Sequence, residues 1–434
     1  MYSLGIINGK VYQNQRFVKT NVYIQGEKIA LISDAFLPSQ KVIDAKGHEV
    51  IPGIIDPHVH FELDLGNLSS RDGFKEGSIS ALYGGVTSII DFLEPVSSHE
   101  ALIEAFEKRK AQAEACHVDY QFHATLKSPK GDLEAFILTM KTLGITTLKV
   151  FTTYSESGRR TEDAAIIRLL ELSKKHDITI LAHIENDELI ERGDHLTFRD
   201  LAKSRQTIAE TTEALKMAHF VQNTGGKLYM VHLSSGHTLK QLKDQYPNLI
   251  NQTFLIESCP QYMTFSSDHL KEDKGYLYTC APPLRSLKEV NLLKDQIDDI
   301  LCIGTDHCSF NALDKIEKKL KDIPLGIGSI EHSFDVMRMH FGEKIIPKMT
   351  ENVAFVHGLS SKGKIEEGYD ADLLLYQPGL FQMKHHHGNT DYDLYEGLLA
   401  SGRVIMTLLR GHVVMHDNQV NPIKGKWIKK EGLS

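Results

Sequence analysis

The chain has 434 residues, 24% of them charged and 41% hydrophobic, which is the balance of an ordinary folded protein in water. Its formal net charge of −8 argues against a nucleic acid or an anionic membrane surface as a partner, because both favour a clustered basic surface. We find no apolar run of the roughly 18 residues that span a bilayer, no pattern of a secretory signal peptide and no CxxC spacing among the cysteines. We therefore expect a cytoplasmic protein with reduced thiols that acts on a small molecule.

Both ends of the chain have the pattern of short antiparallel strands. Residues 1–52 are alternating runs broken by Asn-Gly, Gly-Glu and Lys-Gly turns. The alternation returns within residues 361–434, in the segments GYDADLLLY and VIMTLLRGHVVMHD. We predict that the two ends form one small β-sandwich domain beside a larger domain of residues 53–360.

The central part of the chain alternates buried-strand patterns with helical ones. In residues 131–143, for example, apolar residues at helical spacing form a single stripe. Repeated strand-helix units imply a parallel sheet, and eight of them imply an α/β fold of the (β/α)8 TIM-barrel type. The candidate strands are residues 54–60, 86–92, 118–124, 146–151, 178–183, 227–232, 253–258 and 300–306.

Metal-binding residue types stand at the C-terminal ends of these strands, where barrel enzymes place their catalytic groups. His58 and His60 end the first strand two residues apart, so their side chains share a face and can bind one ion. His183 ends the fifth strand and His232 the sixth, so this pair can bind a second ion. Asp306, at the end of the eighth strand, faces them across the barrel mouth. One such residue could be structural, but the joint pattern predicts a metal centre.

A lysine on the fourth strand completes the set. Lys149 lies between the apolar Leu148 and Val150, and an isolated buried ammonium is costly. Carbamylation is a physical solution, because the neutral amine adds CO2 and becomes a carboxylate-like bridge between two cations. Two ions about 3.5–4 Å apart that share a hydroxide provide a nucleophile at neutral pH. We therefore predict two divalent ions, with zinc as the default and Mn, Co or Fe as alternatives.

Ten segments distributed along the chain match a known family in order and spacing. They are PGIIDPHVHFE (52–62), GGVTSIIDF (84–92), LKVFTTY (148–154), LAHIEND (181–187), YMVHLSSGH (229–237), ESCPQYMTF (257–265), APPLR (281–285), GTDHCSF (304–310), GKIEEGYDADLLLY (363–376) and DYDLYEG (391–397). The chain thereby resembles the dihydropyrimidinase/D-hydantoinase family of the amidohydrolase superfamily, whose cyclic amidohydrolases include allantoinase and dihydroorotase. CPQY and TDHCSF point to the dihydropyrimidinase branch.

The resemblance implies a role for each strand-end residue. The histidines of the first strand and Asp306 would hold one metal ion, those of the fifth and sixth strands would hold the other, and carbamylated Lys149 would bridge the two. The bridging hydroxide would attack the ring amide carbonyl, and Asp306 would accept its proton and return it to the leaving nitrogen. Tyr154, five residues after the lysine, would donate a hydrogen bond to the developing oxyanion. The family also suggests a homodimer or a homotetramer.

Four positions bear on the substrate. Dihydroorotases usually carry an arginine where this chain has Glu62, which would repel a carboxylated ring, and allantoinases generally lack a tyrosine at the position of Tyr154. Hydantoinases usually have a serine at Ala281 and often an asparagine near Leu325, two places that contact the substrate amide largely through the backbone. The resemblance therefore implies hydrolysis of dihydropyrimidines or 5-substituted hydantoins to N-carbamoyl amino acids. An allantoinase or a dihydroorotase-like enzyme is the alternative.

Other residues near the strand ends have plainer interpretations. His123, on the third strand, could line the barrel mouth, whereas His307 and Cys308 beside Asp306 are expected to pack behind the ligands. The triple histidine at residues 385–387 is expected to lie in a solvated loop.

Two further function classes stay open at this point. Some relatives of dihydropyrimidinase have lost their metal ligands and serve as non-catalytic assembly proteins, although all six ligand positions are intact here. A mononuclear deaminase on the same barrel would use a glutamate after the fifth strand, as Glu185 could provide, but would leave Lys149 unexplained.

Overall fold

A computed structural model describes residues 1–316 and 318–429. Residue 317 and residues 430–434, which the predicted domains include, lie outside the described residues. Within the part described, none of the helices combines the length and the apolar character that a membrane span requires. In chain order the strands are β1 (Tyr2–Gln13), β2 (Arg16–Gln25), β3 (Lys28–Ser33), β4 (Ser39–Asp44), β5 (Glu49–Pro52), β6 (Ile54–Val59), β7 (Val86–Phe92), β8 (Asp119–Thr125), β9 (Thr147–Phe151), β10 (Thr179–His183), β11 (Leu228–Met230), β12 (Phe254–Ser258), β13 (Cys302–Ile303), β14 (Leu373–Gln382), β15 (Leu399–Leu409), β16 (His412–His416) and β17 (Gln419–Val420).

Strands β6 to β13 form one parallel sheet in sequence order. A parallel bridge between Val59 and His307 joins the two edges of this sheet, and the His60 N–H donates to the His307 carbonyl at 2.8 Å. The sheet therefore closes into a barrel, which confirms the predicted (β/α)8 class.

Helices follow the barrel strands and cover the outside of the sheet. In α3, Phe136, Ile137 and Met140 of the predicted apolar stripe are buried, and Asp132 caps the helix by accepting a hydrogen bond from the Glu134 N–H. The helices are α1 (Phe74–Tyr83), α2 (His99–Gln112), α3 (Leu133–Thr142), α4 (Asp163–His176), α5 (Leu201–Ser204), α6 (Thr207–Thr224), α7 (Gly236–Gln245), α8 (Pro260–Thr264), α9 (Leu287–Lys294), α10 (Ala312–Lys315), α11 (Ser333–Phe341) and α12 (Glu351–His357).

Two barrel strands are shorter than the sequence pattern predicts. β11 stops at Met230 rather than at 232, and β13 covers Cys302–Ile303 rather than residues 300–306. The chain turns out of the sheet at these ends, because His232 and Asp306 both have a positive φ, of 41° and 52°. Left-handed backbone cannot continue a strand ladder, so both side chains are placed on turns at the barrel mouth.

Apolar side chains form one layer inside the barrel and another between the barrel and its helices. Alternate residues of a strand point to opposite faces, which is why neighbouring positions belong to different layers. The inner layer includes Ile55, Ile90, Leu181, Tyr229 and Leu255. The outer layer includes Ile54, Ile89, Ile180, Leu228 and Ile256.

The second sheet is built from the two ends of the chain, as predicted. Its strand order is β17-β16-β15-β14-β5-β1-β2-β3, with β4 beside β1. The junction of the two ends is the antiparallel pair β5 and β14, in which Pro52 lies opposite Leu373. The domain boundaries at residues 52 and 360 remain predictions.

Ion pairs connect the second sheet to the N-terminal end of the barrel. Asp119, the first residue of β8, accepts hydrogen bonds from Lys362 and Arg410, and Lys362 also binds Asp372 at 2.6 Å. This attachment leaves the opposite end of the barrel, where the strand-end histidines lie, free for a binding site.

Candidate metal centre

A cavity of about 280 Å³ opens at the C-terminal end of the barrel strands. All of the predicted metal ligands and substrate contacts line this one cavity. They are His58, His60, Lys149, His183, His232, Asp306, Tyr154, Ala281 and Leu325. Residues that are up to 267 positions apart in the chain thus meet because a parallel barrel gathers its strand ends at one rim.

His58 of β6, His60 directly after it and Asp306 after β13 form the tightest group. Nε2 of His58 and Nε2 of His60 lie 3.2 Å apart, and each is 3.1 Å from Oδ1 of Asp306. Burial opposes a charge on His58, but Asp306 and Glu257 outweigh it and raise the pKa of His58 to about 9. Three such atoms packed together need a proton or a cation among them, and their residue types suit a divalent metal.

Glu257, at the end of β12, orients His58 and the turn after β11. Its Oε1 accepts hydrogen bonds from Nδ1 of His58 at 2.8 Å and from the His232 N–H at 2.9 Å, and its Oε2 accepts one from the Tyr229 hydroxyl at 2.9 Å. With Nδ1 as the donor, His58 presents the lone pair of Nε2 to the cavity. A carboxylate behind a histidine is the usual support for a metal ligand, and the sequence alone did not identify this one.

His183 and His232 form the second histidine pair. Their ring centroids are 4.6 Å apart, and the His232 ring is also 5.4 Å from that of His58. Burial lowers the pKa of His183 to about 4 and that of His232 well below its usual range, so both rings are neutral, as metal binding requires. Nδ1 of His232 is buried without a hydrogen-bond partner among the described residues. A bound ligand would satisfy such a nitrogen.

A buried ion pair holds His183 in place. Glu185 accepts a hydrogen bond from Nε2 of His183 at 2.6 Å and pairs with Arg205, whose Nε lies 3.1 Å from Oε1. The Arg205 guanidinium also lies 5.1 Å from the centre of the Tyr154 ring. Because both of its oxygens are engaged behind His183 and it is not part of the cavity wall, Glu185 is poorly placed to act as the acid or base of a deaminase.

Lys149 is buried on the inner face of the barrel with an apolar surround. Its Nζ lies 5.2 Å from the centre of the Phe92 ring and 5.5 Å from that of Phe151. No hydrogen bond or ion pair joins Nζ to a residue within 1–316 or 318–429. Burial lowers the pKa of Lys149 to about 8, with Asp306 opposing the shift. Its amine is therefore more easily neutral, and thus nucleophilic, than that of a surface lysine.

Left-handed backbone conformation places several side chains in the cavity wall. Glu62, Tyr154, His232 and Asp306 all line the cavity and all have a positive φ, between 41° and 71°. Left-handed backbone is costly for residues with a side chain and concentrates at functional sites. Tyr154 occupies the turn directly after β9, and burial raises the pKa of its hydroxyl, so that it keeps its proton for donation.

Lys315, a buried lysine outside the predicted set, contacts two segments of the chain that line the cavity. Nζ of Lys315 donates to the carbonyls of Thr279 and Gly326, at 3.1 and 2.6 Å, and lies 3.4 Å from the carbonyl of Leu277. These carbonyls belong to the segments that contain Ala281 and Leu325. Lys315 thus connects the two segments for which the sequence resemblance implies substrate contact through the backbone.

We expect replacement of Lys315 by methionine to lower the free energy of unfolding by about 2 kcal/mol, because the buried Gly326 carbonyl loses its donor and the Thr279 carbonyl keeps only the Gly326 N–H. The KM for the substrate should rise as well, since the segments of Ala281 and Leu325 lose one of the contacts that join them. Denaturant unfolding and steady-state kinetics measure the two effects. Lys319→Met is the matched control, because its side chain is 55% exposed. Equal behaviour of the two variants would contradict the anchoring role.

The remaining candidates are placed as follows. His123 lies below the cavity, where its Nδ1 is 2.6 Å from Oγ1 of Thr147 and its Nε2 is 2.9 Å from the Pro57 carbonyl, so it does not line the mouth. Nε2 of His307 lies 2.9 Å from Asp72, which places this ring behind the cavity.

Three more candidates complete the set. Cys308 is part of the cavity wall rather than behind it. Glu62 also lines the cavity, with Oε2 accepting a hydrogen bond from Gln112 at 2.9 Å. Residues 385–387 lie away from it, each ring engaged by a neighbouring side chain or backbone group.

Comparisons with known proteins identify the family. Residues 50–414 match the family model described as "Amidohydrolase family". A D-hydantoinase of Geobacillus stearothermophilus is 29% identical to the chain, covering 98% of this chain and 96% of the relative. A D-phenylhydantoinase of Escherichia coli (strain SE11) is 28% identical, covering 95% and 94%. The solved structure of a D-hydantoinase (dihydropyrimidinase) from Thermus sp. has a TM-score of 0.92 at 28% identity, covering 99% of each chain. The chain therefore belongs to the amidohydrolase family, as a cyclic amidohydrolase of its dihydropyrimidinase/D-hydantoinase branch.

Proposed function

We propose that this enzyme opens the ring of 5-substituted hydantoins or dihydropyrimidines by hydrolysing a cyclic amide C–N bond, which yields an N-carbamoyl amino acid. The observation that carries the proposal is the convergence of four imidazoles, one carboxylate and one buried amine on a single cavity. The names of its relatives, D-hydantoinase and D-phenylhydantoinase, support the substrate class. Glu62 on the cavity wall disfavours dihydroorotate, whose ring carries a carboxylate.

The donor set fits two divalent ions, with zinc as the first choice. His58, His60 and Asp306 would hold one ion, and His183 and His232 the other. When bound, the ions would supply a shared hydroxide nucleophile at neutral pH and polarise the ring carbonyl. We also propose a homodimer or a homotetramer, which light scattering tests.

Lys149 would supply the anion that the two ions share. Its neutral amine adds to the carbon of CO2 and releases a proton to solvent, so that the ammonium is replaced by a carbamate. The burial of Lys149 between the Phe92 and Phe151 rings supports this proposal, because Nζ makes no ion pair with a described residue and burial lowers its pKa to about 8, which makes the ammonium costly. A carbamate at this position would instead be paired with the two metal cations.

Asp306 and Tyr154 would carry out the proton and charge chemistry. Oδ1 of Asp306 lies 3.1 Å from Nε2 of both His58 and His60, whereas Oδ2 makes no hydrogen bond to the part of the chain that is described. We assign Oδ2 the proton of the attacking water, which it then returns to the ring nitrogen as the C–N bond breaks. The Tyr154 hydroxyl would donate to the carbonyl oxygen as negative charge develops there.

Replacement of Tyr154 by phenylalanine should reduce kcat by about a hundredfold, the usual cost of removing one donor to a developing oxyanion. Metal content should stay unchanged, because the hydroxyl is not a ligand. Tyr83→Phe removes a hydroxyl outside the cavity, bonded to the Asn418 carbonyl at 3.3 Å, and should keep the parental kcat. An unchanged kcat in the Tyr154 variant would show that its hydroxyl has no part in the chemistry.

A substrate panel tests the proposed function. The enzyme is stripped of metal with a chelator, reloaded with zinc, manganese or cobalt, and assayed by ring-opening absorbance on dihydrouracil, hydantoin, allantoin and dihydroorotate. We expect opening of dihydrouracil or hydantoin that is lost on chelation and regained on reloading. Turnover of allantoin or dihydroorotate alone would assign the alternative substrate class, and an inactive reloaded enzyme would reject the function.

A further inference from the structure

The turn that follows β9 carries one charged side chain that has no partner in residues 1–316 and 318–429. Glu156 pairs with Arg192 at 3.1 Å, and Arg160 pairs with Glu188 at 3.3 Å. The side chain of Arg159 makes no hydrogen bond, ion pair or ring contact with a described residue, although it is half-buried and lines the metal-centre cavity. Its guanidinium can therefore bind a ligand through five N–H donors in a planar arrangement.

The backbone fixes Arg159 beside the proposed oxyanion donor. The Arg159 N–H donates to the Tyr154 carbonyl at 3.1 Å, and the Ser128 hydroxyl donates to the Gly158 carbonyl at 2.6 Å, which holds the turn. Burial raises the pKa of Tyr154, and the positive charges of Arg205 and Arg159 both oppose that rise. The Arg159 guanidinium is thus near the part of the cavity where the ring would bind.

Outside the candidate metal centre, the acidic side chains of the cavity wall follow other strands. Glu62 and Asp64 follow β6, and Glu94 follows β7. Arg109, which also lines the cavity, is engaged by Asp91. Because β6 and β9 are separated by two strands of the barrel, these carboxylates lie on one side of the wall, and Arg159, which is unpaired among the described residues, lies on another. A negative group is therefore disfavoured beside Glu62 and favoured in the turn after β9.

We propose that Arg159 selects cyclic amides whose exocyclic substituent ends in a carboxylate, such as a hydantoin with a carboxymethyl group on C5. A carboxylate accepts two parallel N–H bonds from a guanidinium, which an uncharged carboxamide of the same shape cannot match. The interaction is one of binding, and no bond of the substituent is made or broken. This inference rests on the proposed hydrolysis of cyclic amides and names the substrate class within it.

The test compares hydantoin-5-acetic acid with hydantoin-5-acetamide, two probes of nearly equal shape that differ in charge. We expect the zinc-loaded enzyme to prefer the acid in kcat/KM by about tenfold, the size of a charge-assisted hydrogen bond that remains partly exposed. Arg159→Met should lose most of this preference through a higher KM for the acid, and Arg159→Lys should keep part of it. The preference should also weaken as salt is added, because salt screens the ion pair.

Arg160→Met is the matched control. It removes the same charge from the same turn, but Arg160 is not part of the cavity wall, so the preference for the acid should persist. Equal turnover of acid and amide by the parent enzyme, an undiminished preference in Arg159→Met, or an equal loss in Arg160→Met would each overturn the inference. All three results leave ring opening intact. Failure of the proposed function is distinct, since the parent enzyme would then open neither probe nor unsubstituted hydantoin.

Discussion

Replacing Lys149 by alanine should abolish hydrolysis, because the anion shared by the two proposed ions is lost and with it the support for the nucleophile. Adding acetate or propionate should restore part of the activity. The space vacated by the lysine stem can admit a short carboxylic acid whose carboxylate takes the place of the carbamate. Steady-state rates measured against acid concentration, with a metal-loaded enzyme, are the readout. We expect a saturating curve, since the acid must bind a defined space.

Asp306→Asn is the control for this rescue. It keeps the lysine but removes the group that moves the proton, so the same acids should not restore its activity. The parent enzyme should likewise gain nothing from them. Full activity of Lys149→Ala without any added acid would contradict the bridging role.

Replacing Arg205 by methionine should have the largest effect on stability. The change leaves Glu185 as a buried carboxylate without its counter-charge, which typically costs about 3–5 kcal/mol of unfolding free energy. It should also weaken metal binding by about 10- to 100-fold, because Glu185 orients His183 and ligand supports commonly have effects of this size. Denaturant unfolding and competition with a chelator measure the two quantities.

Arg168→Met serves as the control for the loss of an arginine. Arg168 pairs with Glu171 at 3.0 Å on the exposed face of α4, where an ion pair contributes little. Its unfolding free energy and metal affinity should stay close to those of the parent. In Arg205→Met/Glu185→Gln, where the unpaired charge is gone, part of the lost stability should return. If Arg205→Met were as stable as the parent, the ion pair of Arg205 and Glu185 would not support the site.

The sequence was sufficient for the fold class and for nine of the residues that line the cavity. Each candidate strand ends in or next to a polar residue, and a parallel barrel has only one rim where such ends can meet. His58 and Asp306 could therefore be placed together although 248 positions separate them in the chain. The fold class, the family and the enzyme class are confirmed by the structure and the comparisons. The roles of the nine cavity residues remain proposals.

The residues that orient the site were beyond reach of the sequence pattern. Arg205 follows the short helix α5 and contacts Glu185, which lies 20 residues earlier in the chain. Lys315 is the last residue of the short helix α10 and contacts Thr279 and Gly326. These spacings follow no helix or strand period. Glu257 at the end of β12 had a usable signal, because an acidic strand end beside CPQY is as unusual as the histidines were. Such contacts depend on how loops return over the barrel, which local periodicity does not encode.

An electron-density map of crystals grown with zinc and bicarbonate decides whether the lysine on β9 carries the chemistry assigned to it. We predict density for a planar carboxylate group continuous with Nζ of Lys149, flanked by two metal peaks between the histidine pairs. Anomalous scattering at the zinc edge would identify both peaks. A bare amine in an otherwise empty barrel mouth, under these metal-replete conditions, would contradict the binuclear mechanism.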